Sequence, residues 1–127
     1  MLPSQMPPNQ IIEVNDHNFA DTVLGSSVPV LVDFTAGWCA PCRAIAPHVA
    51  AIAGKYAGRL RVGTFDVDDN PAVAARYDVR SMPTLLLFKA GEVVGQVVGA
   101  VPRSRMEALV ERVLEPHPDS LPGGSRT

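Results

Sequence analysis

One mostly apolar run, residues 28–34, constrains the fold of this chain more than any other segment. It is rich in β-branched side chains, and such a run without regular polar alternation is typical of a strand buried on both faces. A strand of that kind belongs to a sheet that carries helices on both sides. The sequence therefore predicts an α/β domain built around residues 28–34.

The segments on either side alternate in the way that such a domain requires. Strands are predicted at residues 11–14, 28–34, 60–66, 84–88 and 92–98, and the last two form an antiparallel hairpin. Helices are predicted at residues 39–56, 71–77 and 102–114, with a further helix, capped by Asn15 or Asp16, that ends near residue 24. Pro47 predicts a kink in the long helix, and Asn70 is expected to cap the helix that begins at residue 71. We thus expect a central mixed sheet of about five strands flanked by about four helices.

Length and composition describe one ordinary domain. Its 127 residues carry a net charge of −2, which gives no reason to expect binding to nucleic acid or to an anionic membrane surface. No apolar run approaches the roughly 20 residues of a membrane span, and the first residues do not resemble a signal peptide, so a cytoplasmic location is expected. Residues 1–9 and 115–127 are rich in Pro, Gly and Ser, and we expect flexible tails around a domain at residues 10–114.

The two cysteines of the chain, Cys39 and Cys42, lie at the predicted boundary between a strand and the long helix. Thiols at i and i+3 can face the same side of a helical turn and close into a disulfide. The unpaired N–H groups and the dipole at the start of a helix favour a thiolate at Cys39. Cys42, one turn further in, is expected to be more buried, which makes Cys39 the attacking thiol and Cys42 the resolving thiol. Between them Pro41 keeps the turn stiff. The pattern predicts a thiol–disulfide oxidoreductase.

A metal site is the alternative for a C-x-x-C pair, because two cysteines can supply half of the four ligands of zinc. The chain has no second pair, and its histidines, His17, His48 and His117, lie in no ligand spacing. We therefore expect no metal.

Residues 32–43, with the sequence V-D-F-T-A-G-W-C-A-P-C-R, resemble the active-site stretch of the thioredoxins, whose usual motif is W-C-G-P-C. Further matches follow in the family's order at residues 46–47, 66–68, 70–71, 81–84 and 98–100. The similarity covers residues 11–114. It implies the thioredoxin fold and the reduction of disulfides in protein substrates through a reversible Cys39–Cys42 disulfide.

The resemblance also implies roles for other residues. Asp33 matches the buried carboxylate that accepts the proton of Cys42, and an aspartate in an apolar strand is expected to have a raised pKa. Pro83 matches a cis-proline that lies against the disulfide. Substrates would rest on a rim formed by Trp38, Ala40, Pro41, Met82, Gly99 and Ala100. The alternatives are a solvated strand end for Asp33, simple packing for Trp38 and a purely conformational role for Gly99.

By the same resemblance the protein binds no cofactor itself and acts as a monomer. It would receive electrons from NADPH through a thioredoxin reductase and pass them to disulfide-containing proteins. Three departures from the family pattern leave its potential and rate open. Ala40 replaces the usual glycine, Thr35 stands where many members have a second tryptophan, and Thr64 stands where a lysine often neighbours the buried aspartate. Without that cation the pKa of Asp33 should rise further.

Three other functions are compatible with the sequence. One is an oxidant or maturation factor of the same fold, against which Pro41 argues. Another is a binding module whose rim recruits a partner, and this role would survive replacement of both cysteines by serine. The third is a zinc-linked dimer, which metal analysis would detect.

Overall fold

A computed structural model describes residues 11–114, which form one mixed sheet with helices on both faces. The expected flexible tails, residues 1–9 and 115–127, lie outside the described residues, so they stay a prediction, as do the domain bounds. The strands are β1 (Ile12–Val14), β2 (Val30–Thr35), β3 (Arg61–Asp66), β4 (Thr84–Lys89) and β5 (Glu92–Val98). The helices are a π-helix (Ala20–Leu24), α1 (Ala40–Lys55), α2 (Pro71–Arg76) and α3 (Arg103–Leu114).

The sheet has the strand order β1-β3-β2-β4-β5. β1 and β2 run parallel to β3, whereas β4 is antiparallel to both β2 and β5. The hairpin between β4 and β5 turns through Ala90 and Gly91, which both have positive φ, as a tight hairpin turn requires. The prediction of an α/β fold with a five-stranded mixed sheet is therefore confirmed.

The central strand β2 contributes side chains to both faces of the sheet. Leu31 packs into a cluster with α1 and α3, whereas Val30, Val32 and Phe34 pack into a cluster with the π-helix and α2. Because successive side chains of a strand point to opposite faces, Asp33 lies on the same face as Leu31. Asp33 is therefore on the side of the sheet that α1 covers.

The long helix α1 begins one residue later and ends one residue earlier than the predicted helix, with Cys39 as its N-cap and Tyr56 as its C-cap. It continues through Pro47 without a break, and the kink expected there stays a prediction. Within residues 11–114, no helix combines the length and the apolar character that a membrane span requires.

The first helix differs from the prediction in type and in its cap. The structure has a turn followed by a π-helix that begins only at Ala20. The side chain of Asn15 accepts hydrogen bonds from the backbone N–H groups of His17 and Asn18, at 2.9 and 2.8 Å, and so forms the turn. Asn and Asp side chains compete for local backbone donors in this way, and the competition here delays the helix.

The cap of α2 is also not the predicted one. Asn70 occupies the N-cap position of α2, but its side chain makes no capping bond. The carboxylate of Asp16 instead accepts the N–H groups of Ala72 and Val73, at 3.1 and 3.0 Å. Two carboxylate oxygens satisfy two helix donors at once, which one amide oxygen of Asn70 cannot do.

Candidate active site

The two cysteines lie where β2 leads into α1. Cys39 has an extended backbone and acts as the N-cap of α1, because its Sγ accepts the N–H of Cys42 at 3.1 Å. The two residues form a disulfide, with Cα atoms 5.3 Å apart, well inside the range that a disulfide bridges. An N-cap sulfur that already receives a backbone N–H is a favourable position for a negative charge.

Both cysteines are almost fully buried, and the expectation that Cys42 would be the more buried of the two is wrong. Cys39 is 2% exposed and Cys42 4% exposed. The reason is that both sulfurs belong to one apolar cluster with Ala36, against which Val67 and Met82 pack. The same apolar residues therefore cover both sulfurs, and neither cysteine is exposed while the other is protected.

Asp33 is buried in β2, so it does not lie at a solvated strand end. Its neighbours in register are Thr64 on β3 and Leu85 on β4, and only 4% of its surface is exposed. Within the described residues its Oδ1 has no hydrogen-bond partner. Burial alone raises the pKa of Asp33 from 3.8 to about 6, because a carboxylate in an apolar environment loses its hydration. The raised pKa expected from the sequence is thus supported by the structure.

A second loop approaches the cysteines from the start of β4. The Met82–Pro83 peptide is cis, as the resemblance implied, and Met82 packs against the cysteine cluster. The carbonyl of Pro83 accepts the N–H of Gly99 at 2.8 Å, which joins this loop to the segment after β5. The structure thereby brings Met82 to the redox pair and Gly99 to Pro83.

The remaining side chains of the expected rim are accessible. Trp38 is 67% exposed, which excludes simple packing as its role in this structure. Ala40, Pro41 and Ala100 are exposed, and Gly99 has a φ of +93°. A Cβ built at Gly99 would meet no atom within 4 Å. Its backbone conformation, and not a close approach, is therefore what favours glycine there.

The sequence did not assign three residues that contact or support the pair. Ala36 and Val67 form part of its apolar cover. Arg43 donates from Nη1 to the carbonyl of Gly37 at 3.0 Å and so ties α1 to the loop that carries Trp38. Their positions inside the matched segments 32–43 and 66–68 were the available signal. Within the part of the chain that the structure describes, no group of three or more His, Cys, Asp or Glu side chains is arranged to hold a metal ion.

Comparison with known proteins places these features in one family. The thioredoxin family model matches residues 10–112. Thioredoxin 1 of Nostoc sp. is 49% identical over 102 residues, which cover 80% of this chain and 95% of that protein. Thioredoxin C-2 of Corynebacterium nephridii is 47% identical over 80% of this chain and 94% of its own length. The M-type chloroplastic thioredoxin of Chlamydomonas reinhardtii is 48% identical over 80% of this chain and 72% of its own.

The family-model match covers nearly all of the described fold and includes the segment that carries the disulfide. Inside that matched segment, this chain carries the redox-active Cys39–Cys42 pair at the start of a helix. The chain is a thiol–disulfide oxidoreductase of the protein-disulfide reductase type, and it belongs to the thioredoxin family.

Proposed function

We propose that Cys39 attacks the substrate and that Cys42 resolves the intermediate. In the dithiol form, the Cys39 thiolate attacks one sulfur of a substrate disulfide. A Cys39–substrate disulfide forms, the substrate S–S bond breaks, and the first substrate sulfur leaves as a thiolate. Cys42 then attacks the Cys39 sulfur, which closes the Cys39–Cys42 disulfide and releases the second substrate thiolate. The two exchange steps thus pass two electrons from the protein to the substrate. Both released thiolates then take protons from water.

The observation that carries this assignment is the hydrogen bond from the Cys42 N–H to Cys39 Sγ. It supplies a donor to the sulfur at the N-cap, where negative charge is also favoured by the helix dipole. Cys42 lies within the first turn and lacks this position. Since both cysteines are equally buried in the disulfide form, electrostatics and not exposure distinguishes them.

Asp33 is proposed to take the proton of Cys42 during the second step. A base works best when its pKa lies close to the working pH, and the pKa of Asp33 is about 6. At pH 7 about nine tenths of such a group is ionised and can accept a proton. The Asp33 carboxyl then returns the proton to water after the product leaves.

For the substrate, we propose a rim that consists of Trp38, Ala40, Pro41, Met82, Gly99 and Ala100, with Pro83 as the catalytic-site proline beside it. The exposed indole of Trp38 offers a large contact area at a small entropic cost. The Pro83 and Gly99 segments are joined by one hydrogen bond, which supports a rigid second wall. A protein substrate would lie across the disulfide between these two sides.

The electron source and the cellular setting are part of the same proposal. We propose that the chain is a monomer that binds no cofactor and that a thioredoxin reductase returns it to the dithiol form with NADPH. A reducing compartment keeps such a dithiol available, which supports a cytoplasmic location. The chloroplastic relative shows that similar chains also work elsewhere. Cell fractionation with an antibody against the chain tests the location.

The assignment is tested by reduction of insulin disulfides with dithiothreitol as electron donor. The native chain should catalyse the reaction, Cys39→Ser should abolish it, and Cys42→Ser should accumulate a stable mixed disulfide on Cys39. A stable mixed disulfide on Cys42 in the Cys39→Ser variant, with none on Cys39 in the Cys42→Ser variant, would reverse the two roles. No catalysis above dithiothreitol alone would favour an oxidant or a binding subunit.

A further inference from the structure

The loop between β3 and α2 forms part of the cover of the disulfide. Val67, the first residue after β3, is partly buried and packs against the cluster of Cys39 and Cys42. Its N–H donates to the carbonyl of Thr35 at 3.0 Å, which anchors the start of the loop to the end of β2. β2 therefore holds Val67 on one side, and the rest of the 66–70 loop continues from it on the other.

The far end of the loop is held by the side chain of Asn70. Its Nδ2 donates to the carbonyl of Asp66 at 3.1 Å, so the loop is closed on itself. The carboxylate of Asp66 accepts the N–H of Asp68 at 2.9 Å, which tightens the turn between them. The Oδ1 of Asn70 accepts the N–H of Asp16 at 3.1 Å, and this bond connects the loop to the segment after β1.

Asp16 completes the connection with its side chain. Its two carboxylate oxygens accept the N–H groups of Ala72 and Val73 in the first turn of α2. Because the side chain of Asn70 makes no capping bond, it is the Asp16 carboxylate that satisfies these two N–H groups of the six-residue helix. Asp16 therefore binds the loop with its backbone N–H and the helix with its carboxylate, although it is distant from both in sequence.

We propose that Asp16 is a positioning residue for the redox pair, and that its carboxylate acts through the start of α2 and the 66–70 loop to hold Val67 against the disulfide. Asp16 is not a member of the cysteine cluster and takes no part in the exchange itself. The inference goes beyond the proposed roles of Cys39 and Cys42, and its main measurement does not depend on which cysteine attacks.

The physical consequence concerns water at the sulfurs. When the carboxylate of Asp16 is removed, the first turn of α2 loses two acceptors, and the start of α2, which follows the 66–70 loop directly, is held less firmly, although the backbone N–H of residue 16 still donates to Asn70. Val67 then shields the cluster less well. A thiolate is hydrated far better than a disulfide, so added water favours the dithiol form and its reactive thiolate.

The primary experiment measures the equilibrium between the native chain and dithiothreitol, and compares it with Asp16→Ala. We expect the equilibrium to move about threefold toward the protein dithiol, and alkylation of the reduced protein by iodoacetamide at pH 7 to become about threefold faster. Asp16→Asn, which keeps one acceptor oxygen, should give an intermediate value for both.

The matched control is Ser26→Ala, which removes a local side-chain bridge before β2, at the end of that strand opposite to the cysteines. Ser26 donates to the carbonyl of Val28 at 2.7 Å and accepts its N–H at 3.2 Å. This variant should lose stability in urea without a change in either thiol measurement. If Asp16→Ala behaves in the same way, with lower stability and unchanged thiol chemistry, Asp16 is only a structural cap and the proposal is wrong.

Two further variants keep the proposal testable if Asp16→Ala folds poorly. Asn70→Ala removes the loop's bonds to the Asp66 carbonyl and to the Asp16 N–H but leaves the Asp16 carboxylate on α2. It loosens the same loop and should shift the equilibrium in the same direction; an unchanged equilibrium overturns the proposal. Val67→Ala should produce the shift by itself, and combining it with Asp16→Ala should add little more. Fully additive shifts would show that Asp16 does not act through Val67.

Mapping the alkylated residue by mass spectrometry separates this inference from the proposed roles of the cysteines. Faster alkylation on Cys39 agrees with the role of Asp16 and with Cys39 as the attacking thiol. Alkylation on Cys42 would contradict the assigned nucleophile, and the dithiothreitol equilibrium would still decide the role of Asp16.

Discussion

Asp33 should make the folded protein less stable as the pH rises from about 4 to 7. Its pKa is raised to about 6 in the folded chain, against 3.8 for an unperturbed group. Each pKa unit corresponds to about 1.36 kcal/mol, so burial of this carboxylate costs about 3 kcal/mol at neutral pH. Between the two pKa values the folded protein binds more protons than the unfolded chain, and stability falls as the pH rises. Above about pH 7 the loss is complete.

The measurement compares the native chain with Asp33→Asn in the disulfide form. The asparagine has nearly the same shape but does not ionise, so any cost of its amide in the apolar site is the same at every pH. Urea unfolding at a series of pH values gives the free energy of unfolding for both proteins. The difference between them isolates the titration of Asp33, since every other carboxylate is common to both.

We expect the variant to gain about 3 kcal/mol relative to the native chain between about pH 3.5 and 7. The gain should follow a curve that starts near the ordinary aspartate pKa and ends near 6. A flat difference across this range would refute the reasoning, because it would mean that Asp33 titrates alike in the folded and unfolded states. A difference of opposite sign would require a cationic or donor partner for the carboxylate.

Three further predictions concern the reaction and the packing. Asp33→Asn should slow resolution of the mixed disulfide by about tenfold or more and attack much less, which rapid-mixing kinetics separates; equal slowing of both steps contradicts its role as proton acceptor. Trp38→Ala should lower kcat/KM for insulin about tenfold but leave a small aromatic disulfide unaffected, and equal losses for both would place Trp38 outside the substrate rim. Gly63→Ala should cost about 1–3 kcal/mol in urea unfolding, because its Cβ would lie 2.6 Å from Val14 Cγ2; the control Gly37→Ala, with no atom within 4 Å, should be neutral, and similar losses would refute the crowding argument.

The sequence predicted those parts of the fold that depend on local patterns. The apolar run at residues 28–34 became β2, and the helix after Cys39 was placed to within one residue at each end. Local chemistry determines these two elements. An apolar run buried on two faces favours a strand, and a cysteine followed by a proline in the first turn favours the start of a helix. The cis form of Pro83 came from the resemblance alone, since a proline in isolation strongly favours trans.

The errors share a different cause, which is competition between groups that are equivalent in sequence. Asn15, Asp16 and Asn70 are all good capping residues, and each was assigned to the helix that follows it. In the structure, the side chain of Asn15 forms a local turn, and that of Asp16 caps the distant helix α2. The side chain of Asn70 bonds the carbonyl of Asp66. Only the tertiary fold decides which of these side chains caps which helix, because it places the end of β1 beside the start of α2. The equal burial of the two cysteines likewise depends on Val67 and Met82, which are remote in sequence.

The residue beside Asp33 on β3 should influence how strongly the buried carboxylate destabilises the folded protein. Thr64 is its register partner, and a pocket of about 320 Å³ lies beside Thr64, lined also by Thr35, Glu13 and Asp66. The pocket has room for a longer side chain. Thr64→Lys should place an ammonium near Asp33, lower the pKa of that carboxylate by about one unit and restore about 1 kcal/mol of stability at pH 7.

The same change should weaken Asp33 as a base, so that resolution at pH 7 slows several-fold even though the protein becomes more stable. The neutral variant Thr64→Gln fills the same space and should leave the titration of Asp33 near its native midpoint. An unshifted midpoint in Thr64→Lys would show that the ammonium pairs with Glu13 or Asp66 instead. If the midpoint shifts and resolution keeps its native rate, Asp33 does not accept the proton of Cys42. In the proposed mechanism, stability and proton transfer thus make opposite demands on the pKa of Asp33, and the uncharged neighbour at position 64 would favour proton transfer.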